Sequence, residues 1–179
     1  YDGEAMSYDD KDYGGGGRSG YQQPYEDEKH KEIIASRRIS NVIRHLKEDG
    51  YSRYDSFPIG KVERRMEIFA KEHNIELNGK QVYMNSTQIS HARRDFKQNK
   101  GIAVSDKDLI DFPKNRRKMR LYFDTNKKNF VYTDFKSKFV IQPNRKIKVF
   151  NHKAIKTNFV TASKTSSQEF NMKNYIEIE

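Results

Sequence analysis

The chain has no cysteine, no tryptophan and only four prolines. Without cysteine there are no disulfides, no thiolate catalysis and no cysteine-ligated zinc, and nothing marks a redox compartment. No apolar run approaches the 18 or more residues of a membrane span, and no basic-then-apolar leader opens the sequence, so neither a span nor a secretion signal is expected in it. Opening on Tyr rather than Met, it reads as a piece of something longer. Acids are the scarce charge: 25 Asp and Glu stand against 35 Lys and Arg in 179 residues, a net +10. Between Lys114 and Lys156 only Asp124 and Asp134 interrupt fourteen cations. A metal nuclease built on clustered carboxylates does not fit that half, and neither a metal nor a cofactor is expected. Walker, G-x-S-x-G and dinucleotide signatures are missing, and the glycine run "GGGG" follows no strand and opens no helix.

What is present divides the chain in three. Residues 1–27 are acidic and rich in Gly and Tyr without apolar periodicity, which predicts a disordered linker. Seven acids there oppose Lys11 and Arg18, a net −5, so the remainder carries +15. Such a basic remainder favours a polyanionic partner, because cations along a nucleic-acid backbone gain affinity by releasing counterions. Residues 28–78 read as a helical region. Ile39, Val42, Ile43 and Leu46 mark one amphipathic helix ended by Gly50, and Val62, Met66, Phe69 and Ala70 mark a second over 58–74 with Ser56 as its N-cap. His45 and His73 fall off those stripes, as surface residues do.

Residues 79–179 begin with a short strand, "KQVYMN", and a helix over 86–101. Asn85 and Gln88 form its capping box and Gly101 its C-terminal stop. A second box, Ser105 with Asp108, opens the helix "DKDLIDF", which Pro113 ends. Strands are then expected at "KMRLYFD", "NFVYTDF", "SKFVIQP", "KIKVFNH" and "IKTNFVTAS", with turns such as "QPNRK" between them. The fold class expected is α+β, with N-terminal helices packed on an antiparallel sheet of about four to five strands.

On the helix over 86–101, Ile89, Ala92 and Phe96 share one sector, the expected core stripe. His91 and Arg94 then point away from it, Arg93 and Lys97 lie on its flank, and Asp95 stands four residues from His91, where it can orient the imidazole. A merely solvated face is the competing reading, which histidine suits poorly. On the sheet, alternation puts Lys138 with Val140 and Gln142, and Lys146 with Lys148 and Phe150. Lysines on one face near Tyr132 and Phe150 suit an RNA backbone with bases stacked on rings, although lysine-rich strands also guard against edge aggregation. In "AIKTNFVTAS" alternation sends Thr157, Phe159 and Thr161 to one side and Lys156, Asn158 and Val160 to the other. A histidine, fixed cations and a hydroxyl suffice for metal-free RNA cleavage, in which the 2′-hydroxyl attacks and a phosphorane must be stabilised.

The segment "QVYMNSTQISHARRDFK…GIAVSDKDLIDFP", followed by strands and "IKTNFVT", resembles the barnase/EndoU/colicin/RelE superfamily of metal-independent ribonucleases, above all versions in phage-associated and polymorphic toxin proteins. The resemblance covers about residues 80–163. It implies an endoribonuclease toxin or effector domain of bacterial or mobile-element origin, cutting RNA, tRNA among the candidates. His91 would be general acid or base, Arg94 and Lys97 would stabilise the phosphorane, and Thr157 would hold a phosphate oxygen. Arg93, Arg120, Lys136, Lys138, Lys148 and Lys156 would bind the backbone, with His152 approaching from the sheet. It also implies an acidic immunity protein or antitoxin as partner and action in the cytoplasm, with delivery into another cell by further regions as one route. Two rivals stand beside it: a non-catalytic nucleic-acid-binding module of a plasmid or phage protein, and a protein-interaction domain that recruits partners through the acidic, Tyr-rich tail.

Overall fold

The computed structural model describes residues 24–50, 56–149 and 152–179. The linker expected at residues 1–27 falls almost wholly outside them. Helix α1 (Pro24–Asp49) packs the expected stripe, burying Ala35, Ile39, Val42 and Ile43. Strand β1 (Phe57–Lys61), helix α2 (Arg64–Glu72) and strand β2 (Gln81–Met84) follow, then α3 (Ser86–Ala92), α4 (Asp95–Asn99) and α5 (Asp106–Asn115). The second half supplies β3 (Arg120–Asp124), β4 (Asn129–Thr133), β5 (Ser137–Val149), β6 (His152–Lys164) and β7 (Tyr175–Ile178). All seven strands form one sheet in the order β1-β2-β6-β5-β4-β3-β7. The α+β class holds, but the sheet has more strands than the four to five expected. It is also mixed, because β2 runs parallel to β6 while every other pair is antiparallel.

One sheet face carries the core. Phe57, Ile59, Val82, Met84, Leu121, Phe123, Phe130, Tyr132, Phe139, Ile141 and Phe159 meet α1, α2, α3 and α5 there, and Phe112 of α5 stacks on Phe139 with ring centroids 4.3 Å apart. The regions 28–78 and 79–179 share this core. Tyr132 lies wholly inside it, so it offers no ring to RNA. A smaller cluster of Tyr122, Val131 and Phe170 covers part of the opposite face through the 3-10 turn Ser167–Asn171.

Several expectations are corrected. The helix predicted over 58–74 is a strand up to Lys61 and a helix only from Arg64, and Ser56 caps nothing: Glu63 holds the N-cap position. Pro58 sits in an outermost strand, where its missing N–H is tolerated. Pro113 lies buried inside α5 rather than ending it. "QPNRK" is not a turn but an irregularity within the single long strand β5. β7 was not anticipated. The N-cap half of each expected box forms, with Asn85 Oδ1 accepting from the Gln88 N–H at 2.9 Å and Ser105 Oγ from the Asp108 N–H at 3.1 Å, while the Gln88 side chain is engaged elsewhere.

The chain passes from α5 to the sheet through a 3-10 turn, Arg116–Lys118, around a buried arginine. Arg116 is 1% exposed; its Nη2 donates to the Lys61 carbonyl at 2.6 Å, its Nη1 to the Tyr132 hydroxyl, and Glu63 lies 3.6 Å away. Arg65 holds the same turn from outside, donating to the carbonyls of Arg116 and Met119. Gly60 makes room: its φ is +147°, and a Cβ there would stand 2.4 Å from Arg116 Nη2. Removing one partner of a buried ion pair costs about 3–5 kcal/mol. Arg116→Met is therefore expected to lower stability by about that amount in urea unfolding. Gly60→Ala should also destabilise, and by less in the Arg116→Met background, where the clash is relieved. Strict additivity of the two would show that the glycine does not serve the arginine.

Candidate nucleic-acid interface

The helix expected over 86–101 breaks at Arg93 and Arg94, and the break rearranges the site. Arg94 takes an extended conformation, φ −64° and ψ 153°, before α4 starts at Asp95. The two halves no longer share one helical phase, so Phe96 turns outward (53% exposed) and Lys97 turns inward (6% exposed). Both positions reverse the expectation. Asp95 now opens a separate helix and no longer follows His91 on one face.

Lys97 goes inward because a strand edge requires donors. β2 pairs with β6 only over Thr157 and Asn158, leaving the rest of that edge without a strand partner. Side chains and a loop take its place. The Gln88 amide, oriented to satisfy both neighbours, donates to the Val160 carbonyl at 2.6 Å and accepts from Arg145 Nη2 at 3.0 Å. Lys97 Nζ donates to the Ala162 carbonyl at 2.8 Å and to the Thr161 hydroxyl. The Lys164 N–H reaches the Ile102 carbonyl at 2.7 Å. Residues 160, 162 and 164 all face that edge, as period-2 geometry requires.

Burial, with the nearby cations Arg94 and Lys138, lowers the Lys97 pKa from its ordinary 10.5 to about 8. Its amine therefore exchanges a proton close to neutrality while touching a hydroxyl on the half-buried Thr161. Phe96 forms the outer side of the same helix, with the Arg94 guanidinium 5.6 Å and Lys100 Nζ 4.5 Å from its ring centroid. An exposed ring flanked by two cations suits a stacked base between its phosphates.

The other expected residues are dispersed. Thr157 is fully buried: its hydroxyl donates to the Pro143 carbonyl and accepts from the Asn78 N–H, both at 3.0 Å, so no phosphate reaches it. A bulge explains the substitution of one threonine for the other. Ile141 pairs with Phe159 but Val140 with Thr161, so an extra residue in β6 breaks the expected alternation and puts Thr161 on the face opposite Phe159. Arg93 is committed to Asp106 at 2.7 Å, an acid that also holds Lys47. Lys138 pairs with Glu169. Arg120 pairs with Glu177 at 2.8 Å and lies on β3, three strands from β6 or about 14 Å. Lys136 is exposed in the β4–β5 turn, and Lys156 sits 4.6 Å from the Tyr83 ring centroid. His152 stands at the far end of β6 from Thr161, about 30 Å along the strand, and does not join this cluster. Phe150 lies outside the described residues. His91 and Arg94 are exposed as expected. For Gln88 the sequence signalled only a capping box, and Thr161 was one of two equivalent threonines.

Among the described residues no three His, Asp or Glu side chains gather as metal ligands, and no helix is long and apolar enough to cross a membrane. No protein-family model, curated protein or solved structure matches the chain.

The Lys97 shift has a stability consequence with a definite sign. Between about pH 8 and 10.5 the unfolded chain keeps a proton on Lys97 that the folded chain has released. Stability attributable to Lys97 therefore rises with pH across that window and is constant below it. Lys97→Met should lack the rise. Urea midpoints for both proteins on either side of pH 8 test this, and parallel pH curves would show that the buried amine keeps its ordinary affinity for protons.

Proposed function

We propose that the domain is a metal-independent endoribonuclease that holds RNA across α3 and α4. The observation that carries the reading is the Lys97–Thr161 pair: a buried amine with its pKa near 8, hydrogen-bonded to a hydroxyl, with Arg94 and Lys138 near it, on a helix whose outer side carries an exposed ring. A base stacks on Phe96, and its phosphates lie toward Arg94 and Lys100. His91 and Lys97 are the groups able to move protons, one to take the 2′-hydroxyl proton and the other to protonate the leaving 5′-oxygen. Arg94 stabilises the extra negative charge on the phosphorane. Thr161 takes the role that the sequence suggested for Thr157. A phosphate brought against this cluster also raises the Lys97 pKa, since its negative charge opposes the depression that burial, and after it Arg94 and Lys138, imposes. An acidic immunity protein or antitoxin covering Phe96 and Arg94 completes the proposal.

Binding without chemistry is the second reading, and the Phe96 platform favours it, because stacking between two cations requires no proton transfer. Incubating purified protein with total bacterial RNA in EDTA separates the two. Fragments ending in 2′,3′-cyclic phosphate are expected. They should be lost in His91→Ala and strongly reduced in Thr161→Val, both shown to be folded by circular dichroism. RNA that is bound but left intact would leave only the binding module.

A further inference from the structure

β5 and β6 extend beyond the sheet as a two-stranded arm. β4 stops pairing with β5 at Ile141, and β2 stops pairing with β6 at Thr157. From Arg145 to Val149 and from His152 to Lys156 the two strands pair only with each other, Arg145 opposite Lys156 and Val149 opposite His152. At about 3.3 Å per residue the arm is roughly 15 Å long.

Its charge is of one sign. No acid occurs between Phe135 and Gln168. Lys146, Lys148 and Lys153 are exposed on one face of the arm around Ile155, itself 45% exposed, while Arg145 and Lys156 belong to the other face. Lys148 stands directly opposite Lys153. Like charges opposed across an antiparallel pair destabilise it, so the sequence here opposes the local stability of its own ribbon. An anion lying along the lysines removes that cost. Every described polar side chain on that face is a lysine, so what it offers a nucleic acid is contact with phosphates. Arg145 and Lys156 add a single opposed pair at the base of the other face.

We propose that this arm lies along the backbone of an RNA stem with its lysine face toward the phosphates. Double-stranded RNA is recognised largely by shape and backbone contacts, which require no base readout. The inference deepens the ribonuclease reading and rests on it: the substrate class is a structured RNA whose stem lies on the arm and whose unpaired residues reach Phe96.

The test compares the full chain with the Lys146→Ala/Lys148→Ala/Lys153→Ala variant. Fluorescence anisotropy is read against an RNA hairpin carrying a single-stranded tail, and against the tail alone, over a salt series. The hairpin should bind more tightly to the natural chain. In the variant its slope of log affinity on log salt should become shallower by about 2 to 3, with tail binding nearly unchanged. A separate Lys148→Thr substitution should raise the melting temperature, as relief of a like-charge pair requires, and confirms that the arm tolerates the change. Equal hairpin binding by variant and natural chain, or equal losses for hairpin and tail, would overturn the proposal. Because binding is read apart from cleavage, a hairpin that is gripped through the lysines but never cut overturns the ribonuclease reading and leaves the arm's role standing.

Discussion

The constraint on which the rest depends is the buried guanidinium of Arg116. It sits where the helical layer turns into the sheet, and it draws three separate parts of the chain to one point: the end of β1 through the Lys61 carbonyl, the start of α2 through Glu63, and β4 through Tyr132. A charge in that position is costly to bury and more costly to leave without its partners. The Tyr132 hydroxyl, which donates to Glu63 while lying against Arg116, is held well above its ordinary pKa, first by burial, and so remains a neutral donor. Gly60 is the steric condition for this arrangement.

Fixing β1 also fixes what lies beside it. β1 pairs with β2, and β2, only four residues long, ends against β6 after two paired residues. From Val160 to Lys164 the edge of β6 is completed by Gln88, Lys97 and the Ile102 carbonyl instead of a strand. One consequence is structural, since unpaired edge groups invite association with other chains and here they are covered. The other is chemical. Lys97 can serve the edge only by entering a region already occupied by Arg94 and Lys138, and that positive surrounding, added to burial, makes its proton exchangeable near neutrality. The same break in the helix that admits Lys97 expels Phe96 and gives the surface its ring.

Local signals were legible where the structure uses them locally. The N-caps at Asn85 and Ser105 form because their hydrogen bonds span three residues. The α1 stripe of Ile39, Val42 and Ile43 is buried as its spacing requires, and strands form in the β3, β4 and β6 segments, which β-branched and aromatic residues marked. Phe57–Lys61 was illegible because its apolar residues fit a helical stripe as readily as a short strand, and only pairing with Gln81–Met84 decides. Thr157 and Thr161 were indistinguishable for a similar reason: the bulge that separates them exists only between paired strands.

The sequence by itself determined the α+β class, the excess of positive charge in the second half and the acid-free stretch that becomes the arm, because these depend on composition and on periodicities of two to four residues. Tertiary structure alone decided which of the basic residues act as free cations and which are structural. Arg93 is taken by Asp106, Lys138 by Glu169 and Lys97 by a strand edge, while Lys146, Lys148 and Lys153 remain exposed. The physical reason is that a lysine's role depends on what lies within about 4 Å of its amine, and here those partners lie up to 65 residues away along the chain.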